Sequence, residues 1–321
     1  MVKNKLKIGV LFGGKSAEHE VSLNSAKNII SALDKNKYEI TPIKINKNGE
    51  FNFLKLKNFD VIFPVLHGPY GEDGSMQGFL KLLSVPFVGA SVLGSAVGMD
   101  KDVMKRLLNE AGIKNAKCIV LRNREEISFN NVKKSLGLPM FVKPANLGSS
   151  VGVSKVKNEK EWNIAIKEAF QYDNKIIVEE MIVGRELECA VLGNEKPIAS
   201  LIGEVVLNAE FYSYDAKYID DDGAVIEIPA KNLLKTEIKK LQNIALKAYQ
   251  TLNCEGMGRV DMFMKKNGEI YVNEINTIPG FTNISMYPKL WEISGINKTH
   301  LLNELISLAI ERHKKENKLK N

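Results

Sequence analysis

The sequence predicts an α/β protein, an open parallel-sheet layer followed by two α+β units, and three observations carry that expectation. The first ninety residues alternate short apolar runs with an amphipathic segment. A second block opens at Lys101 with an amphipathic helix and runs into a glycine-rich stretch. A third block carries further strands, one long helix and a hairpin around Asn267-Gly268. At 321 residues, with 44% hydrophobic and 26% charged residues, the chain can bury a full core and divide into two or three domains.

KIGVLF reads as the first strand. Leu23, Ala26, Ile30 and Leu33 then recur at helical spacing, and YEITPIKI, DVIFPVL and VPFVG read as further strands. Residues 82–99 form an uncharged run of membrane-spanning length, but seven of the eighteen are Gly, Ser or Pro, which favours strand and loop over a membrane helix. DVMKRLLNEAGI is an amphipathic helix closed by Gly112, and LPMFVKPANLGSSVGVSKV is a strand entering a Gly/Ser turn. That block ends near KIIVEEMIVGRE, an apolar strand running into a polar turn. A helix over 232–252 and a hairpin over 258–277 complete the third block, and the sequence holds no internal repeat.

Charge and cysteine content narrow the function. Of the net +7, Lys3, Lys5 and Lys7 contribute three, and 311–321, with five Lys/Arg against two Glu, contributes three more. With no basic stripe interleaved with aromatics between the ends, a nucleic-acid surface is not expected, and the tail reads as a solvated helix end whose cations suit the helix dipole. Cys118, Cys189 and Cys254 lie more than 60 residues apart and leave one unpaired in any disulfide scheme, which fits a reducing compartment and excludes a compact cysteine zinc site. No apolar signal region precedes a small-residue cleavage site, so the expectation is cytoplasmic, with no membrane partner.

Gly9 to Ser16 fits the G-x-x-x-x-G-K-[ST] pattern of a phosphate-cradling P-loop. Such a loop needs its first glycine after a strand, whereas Gly9 falls inside the only strand available, Lys7 to Phe12. The apolar strand ending in a magnesium-binding Asp is missing as well, because DVIFPVL begins with its Asp. The match is read as accidental. Gly13 to His19 remains as a strand-to-helix crevice with Glu18 and Glu20, suited to an ammonium group rather than a phosphate.

Phosphate chemistry is expected elsewhere. If Asn267-Gly268 forms a two-residue type I′ turn, residues whose numbers sum to 535 pair, so that Asp261 faces Glu274 and Arg259 faces Asn276 on one face of the sheet. Opposed carboxylates repel, and Asp, Glu and Asn oxygens select Mg2+; the competing reading is an edge hairpin charged for solubility. In VKPANLGSSVGVSK, Lys143 ends a strand and Gly148, Ser149 and Ser150 begin a flexible turn with free N–H groups and hydroxyls. Alone this is equally an ordinary Gly/Ser turn. With the metal face, the two hairpins from different domains can hold Mg-ATP between them.

The set HGPYGEDGSMQG (67–78), MDK (99–101), VKPANLGSSVGVSK, FYSYDAKY (211–218), and GRVD followed by NEINTIPG resembles the D-alanine:D-alanine ligase family of the ATP-grasp superfamily, over essentially the whole chain. The resemblance implies three domains, 1–98, 99–183 and 184–321, with ATP gripped between the central and C-terminal sheets. It assigns ATP phosphates to Lys101, Lys143 and Lys217 under the Ser149-Ser150 hairpin, adenine to Glu179 and the backbone of Ile182, and ribose to Glu186. Two Mg2+ ions, with Mn2+ as a substitute, fall to Asp261, Glu274 and Asn276. Arg259 and the Gly280 N–H match the oxyanion donors, Glu18 the holder of the first ammonium, and Ser285 and Met286 the pocket for the second carboxylate. His67 lies near the first substrate, Tyr218 links to Glu18 and Ser149, and a homodimer is implied.

The same resemblance implies that ATP phosphorylates one D-alanine and that the amine of a second attacks the acyl phosphate, giving the dipeptide used in peptidoglycan synthesis. The rivals are a related ligase taking D-lactate or D-serine second, and a nucleotide sensor without turnover. A sensor needs neither Arg259 nor Glu18. Without the resemblance, His67 reads as structural and Asp73 as a cap for the helix that follows.

Overall fold

The computed structural model describes residues 5–123, 127–207 and 224–319. Strands β1 (Leu6–Gly13), β2 (Tyr38–Ile45) and β3 (Val61–Val65) form a parallel sheet in the order β2-β1-β3. Helix α1 (His19–Ala32) provides the crossover from β1 to β2. Gly9 pairs with Thr41 and Ile62 in mid-strand, and a Cβ there would meet Ile62 at 2.6 Å. It is a packing glycine rather than the start of a phosphate loop.

The buried face of α1 is rotated from the expected one: Ser22, Ser25, Ala26 and Ile29 are buried, while Leu23 and Ile30 are half-buried. Both serines are satisfied. Ser22 accepts from the Gly13 N–H at 2.7 Å and donates to the Val65 carbonyl, and Ser25 accepts from the Phe281 N–H at 3.1 Å.

The expected strand VPFVG is reduced to a single bridge between Phe87 and Ile62. Residues after it form α3 (Val92–Met99), following α2 (Ser75–Leu82). The small residues read as strand-and-loop signals instead permit close packing, since a Cβ on Gly94 would lie 2.5 Å from the Asn253 carbonyl oxygen. Among the described residues no helix is long and apolar enough to cross a membrane.

Helix α4 (Lys101–Glu110) precedes a four-stranded antiparallel sheet of β4 (Cys118–Leu121), β7 (Ile176–Glu180), β5 (Met140–Pro144) and β6 (Ser154–Val156), in that order, with α5 (Phe129–Leu136) and α6 (Glu159–Tyr172). Its core is self-contained, built on Phe129, Met140, Val142, Trp162, Ile166 and Val178. Met104 and Leu108 of α4 pack instead with Leu241 and Val260 from the last third of the chain.

That last third holds a five-stranded antiparallel sheet in the order β10-β9-β8-β11-β12, made of β8 (Arg185–Leu192), β9 (Ile198–Leu207), β10 (Ala224–Glu227), β11 (Met257–Met264) and β12 (Ile270–Asn276). Helix α7 (Lys235–Thr251) packs on it, and α8 (Met286–Ile293) and α9 (Lys298–Glu316) join it to the first sheet through a core that includes Phe63, Phe281, Tyr287, Trp291 and Leu305. The tail differs from the expectation at one residue. Arg312 is buried, donating to the Gly89 carbonyl at 2.5 Å and the Phe87 carbonyl at 2.8 Å, and so fastens α9 to the N-terminal layer.

Candidate active site

The four- and five-stranded sheets enclose a cavity of about 470 Å3. Asp100 starts α4 by accepting from the N–H groups of Asp102 and Val103, both at 3.1 Å, which places Lys101 in the first turn at the cavity wall. The Lys101 ammonium donates to the Leu147 carbonyl at 2.6 Å and lies 3.4 Å from the Glu274 carboxylate. It therefore links the glycine-rich loop to the far hairpin.

Strands β5 and β6 pair as a hairpin around residues 145–153. Asn146 anchors its base, donating from backbone N and Nδ2 to Asp173 at 2.8 and 3.0 Å. Ser149 and Ser150 both sit in the left-handed region, at φ 52° and 59°, a conformation that non-glycine residues adopt rarely and that clusters at ligand clamps. Ser150 lines the larger cavity and Ser149 lines both this one and the smaller one beyond it.

Lys143, on β5, also lines the larger cavity and lies 2.5 Å from Glu179 Oε2, while Lys105 of α4 lies 3.0 Å from Glu179 Oε1. Burial would raise the Glu179 carboxyl, but the two ammonium groups outweigh it and hold it below the usual range. Both Glu179 oxygens, expected to face an adenine, thus engage lysines; Ile182 and Glu186 line the adjoining wall.

The far wall is the β11–β12 hairpin. Arg259 pairs with Asn276 and Asp261 with Glu274, as expected, but the turn that sets this register differs. Lys265 pairs with Glu269 through its N–H at 2.9 Å, and Gly268 takes a left-handed φ of 78°. The loop is therefore Lys266 to Gly268, three residues in place of two, a common hairpin type with glycine in the left-handed position. A bulge between Asp261 and Met262, with Asn273 as the extra residue, restores the pairing.

Asp261 also faces Glu188 on β8, so three carboxylates occupy adjacent strands. Arg259 offsets them by donating to Asp261 at 2.7 and 2.6 Å and lying 2.9 Å from Glu188. Burial lowers its affinity for the proton, but Asp261 and Glu188 raise it further, so the guanidinium stays charged. Asn276 donates to Asp261 at 3.0 Å.

Among the described residues no three or more His, Cys, Asp or Glu side chains converge as a closed metal cage. Two carboxylates and an amide on one face at the junction of the cavities, with Arg259 and Lys101 against three carboxylates, leave negative charge in excess. That donor set fits Mg2+, which keeps several waters and binds through one or two carboxylates plus phosphate oxygens.

Past Ser149 and Glu274 lies the smaller cavity, about 130 Å3, lined by Glu18, His67, Arg259, Gly280, Ser285 and Met286 among others. Glu18 accepts a hydrogen bond from the Ser149 hydroxyl, joining the first domain to the glycine-rich hairpin. His67 donates through Nδ1 to the Ile278 carbonyl at 3.0 Å; burial lowers its pKa and keeps the imidazole neutral, leaving Nε2 without a partner. A Cβ on Gly280 would stand 2.8 Å from Ser285 Oγ, so a side chain there would have to displace the Ser285 hydroxyl. Ser285 in turn accepts from the Thr282 N–H at 2.9 Å at the start of α8.

Three residues escaped the sequence reading. Glu72 accepts from the N–H groups of Gly68 at 2.8 Å and Ile278 at 3.2 Å, and burial, with Glu18 nearby, pushes its pKa up to about 8. Its neighbour Asp73, expected to cap α2, lies one residue before the cap position, which Gly74 takes, and accepts from the Tyr70 N–H at 2.8 Å and the Ser75 N–H at 2.9 Å. Glu188 and Lys105 act on site residues from neighbouring elements and carry no local motif. Lys217 and Tyr218 lie outside the described residues. Lys15, the P-loop lysine, packs its side chain over Gly49.

A lysine-lined cavity between two antiparallel sheets, covered by a glycine-rich hairpin and faced by carboxylates, is the architecture of ATP-grasp proteins. Sequence profiles described as D-ala D-ala ligase N-terminus match residues 7–56 and 52–90, and that described as D-ala D-ala ligase C-terminus matches residues 107–307. This chain belongs to the D-alanine–D-alanine ligase family. It is 51% identical to D-alanine--D-alanine ligase of Oceanobacillus iheyensis, covering 99% of this chain and 98% of that one. Among solved structures it resembles the VanG D-Ala:D-Ser ligase of Enterococcus faecalis, with TM-score 0.86, 37% identity and coverage of 95% and 100%. The D-alanine--D-alanine ligase of Bacillus anthracis complexed with ATP gives TM-score 0.82, 33% identity and coverage of 97% and 99%.

Proposed function

We propose that the chain joins two D-alanine molecules in an ATP-driven, ADP-forming reaction through an acyl phosphate, supplying the dipeptide for peptidoglycan precursors. The observation that carries the reading is the Ser149–Glu18 hydrogen bond, which closes the loop over the larger cavity onto the carboxylate of the smaller one. In this reading Lys101, Lys143 and Lys217 bind the phosphates under Ser149 and Ser150. Ile182 meets the base through its backbone, Glu179 beside it orients Lys143, and Glu186 holds the ribose.

Asp261, Glu274 and Asn276 would hold two Mg2+ ions, or Mn2+ in their place, which supply charge neutralisation at the transferring phosphoryl group. Glu18 holds the ammonium of the first D-alanine, beside the unpaired His67 Nε2, and turns its carboxylate toward the phosphates. Arg259 and the Gly280 N–H stand fixed where negative oxygen develops, the requirement for oxyanion stabilisation. Ser285 and Met286, opening α8, hold the carboxylate of the second amino acid at a helix N-terminus.

The test is incubation with ATP and D-alanine, with phosphate release and products followed together. D-alanyl-D-alanine formed in step with ADP is expected; phosphate release that ignores D-alanine, or no dipeptide, contradicts the reading. The similarity to a D-Ala:D-Ser ligase supports a second reading, D-serine as nucleophile. Tyr218→Phe tests second-substrate selection separately: if Tyr218 links to Glu18 and Ser149, as the family resemblance implies, its loss is expected to raise the D-lactate to D-alanine product ratio in a competition at neutral pH. An unchanged ratio removes Tyr218 from second-substrate selection.

A further inference from the structure

Helix α4 carries Lys101 and Lys105 one turn apart and hence on one face. Lys101 reaches the cavity, but the Lys105 side chain is only 1% exposed. Its ammonium lies 3.0 Å from Glu179 Oε1 and donates to the Ala116 carbonyl at 3.3 Å. A buried ammonium is unfavourable unless paired, and an apolar side chain of similar length would fill the space without that penalty. The other oxygen of Glu179 holds the Lys143 ammonium at 2.5 Å, and of the two lysines only Lys143 lines the cavity.

Glu179 and Lys143 alone would form a closed pair with no net charge. With Lys105 the three groups carry one net positive charge, presented to the cavity by Lys143. The other charges nearby are spoken for: Asp102 engages Arg106 and Lys175. Cys118, paired with Glu179 across the sheet, has its thiol pushed up by burial and is uncharged.

We propose that Lys105 is a positioning residue for the nucleotide: by sharing the Glu179 carboxylate it fixes the Lys143 side chain while leaving its charge available to the triphosphate. This rests on Lys143 being a phosphate ligand, as proposed above.

The test measures KM for ATP and for D-alanine, ADP affinity by equilibrium titration, and Tm, in the full chain. Lys105→Met is expected to weaken ATP and ADP binding about tenfold, the scale of one unit charge acting across a single intervening side chain, with KM for D-alanine unchanged. Lys105→Arg should retain most of the affinity. Lys105→Met combined with Glu179→Gln should bind nucleotide more tightly than Lys105→Met alone, because Lys143 then faces the cavity without a carboxylate behind it. A role in packing alone predicts the reverse, with damage adding in the double variant.

Lys105→Gln, which can still donate to Glu179, provides a second neutral side chain if the Met variant folds poorly, and the same loss is expected. Unchanged ADP affinity in both neutral variants, or a double variant no better than the single, overturns the proposal. Lys143→Ala separates the two readings. If it weakens nucleotide binding while the Lys105 variants do not, only the role of Lys105 fails. If it has no effect, the phosphate site itself is wrong and the role of Lys105 falls with it.

Discussion

The two cavities share a wall at Ser149 and Glu274 and differ in the charged groups that line the rest of them. The larger has Lys101, Lys143 and Arg185 on its wall together with Glu186 and the carboxylates of the β8–β11–β12 face, and its buried Glu179 sits between two ammonium groups. The smaller has Arg259 and no lysine on its described lining; Glu18 faces it, His67 is held neutral, and burial keeps the Glu72 carboxyl protonated up to about pH 8. In the proposed reading one chamber takes the polyanion, through its lysines, and the other the small ammonium compound, through Glu18. The carboxylates of β8, β11 and β12 between them suit a divalent cation. In the proposed function, charge would sort the reactants before any side chain does chemistry.

The shared wall is the place to break the arrangement most severely. Glu274→Gln removes a proposed metal ligand and the partner of Lys101, so turnover is expected to vanish in a steady-state assay while Tm stays near that of the wild type. Substantial activity would exclude the β11–β12 face as the metal site. A smaller but more selective loss is expected from Lys143→Ala, which should weaken ATP binding by one to two orders of magnitude, roughly the worth of a charge-assisted contact. Lys15→Ala, at a residue that lines neither cavity, should leave ATP affinity unchanged; equal losses would restore the P-loop at Gly9 to Ser16. On the substrate side, Gly280→Ala presses a methyl group on Ser285 Oγ. It is expected to raise KM for the second amino acid several-fold without altering ADP affinity, and an equal rise for nucleotide would show that the cavities are not independent.

The smallest effect concerns stability. The Glu72 carboxyl has its pKa raised from 4.5 to about 8 in the fold, so the native state binds a proton that the unfolded chain releases. Its contribution is intact below the unfolded pKa and is lost as pH rises toward 8, by about 1.4 kcal/mol per pKa unit displaced. In metal-free protein, the Tm of Glu72→Gln relative to wild type is therefore expected to climb between pH 5 and 8. A constant difference across that range would mean that Glu72 is ionised throughout.

How far the sequence discloses this arrangement depends on the range of the interactions involved. The carboxylate face is legible because cross-strand pairing is local, yet the agreement hides two deviations that cancel: the loop holds three residues where two were expected, and the bulge at Asn273 returns the register. Neither has a strong composition signature. The accidental P-loop is also legible, because strand context decides it. By contrast, Ser22 and Ser25 are buried because the Gly13 and Phe281 N–H groups and the Val65 carbonyl need partners, a tertiary demand that overrides the apolar stripe of α1. Helix α3 was hidden by small residues that serve packing. Lys105, Glu188 and Glu72 gain their roles only when distant segments meet; nothing in the immediate neighbours marks Lys105 or Glu188, and Glu72, though inside HGPYGEDGSMQG, is singled out there only by its burial.

The charge sorting is tested most directly by titrating two variants, Lys143→Met and Glu18→Gln, with ADP and with D-alanine by calorimetry. A crossed pattern is expected: Lys143→Met loses ADP affinity and keeps that for D-alanine, while Glu18→Gln loses D-alanine and keeps ADP. If each substitution weakens both ligands alike, or the losses fall on the opposite ligand, the two cavities do not divide the reactants by charge.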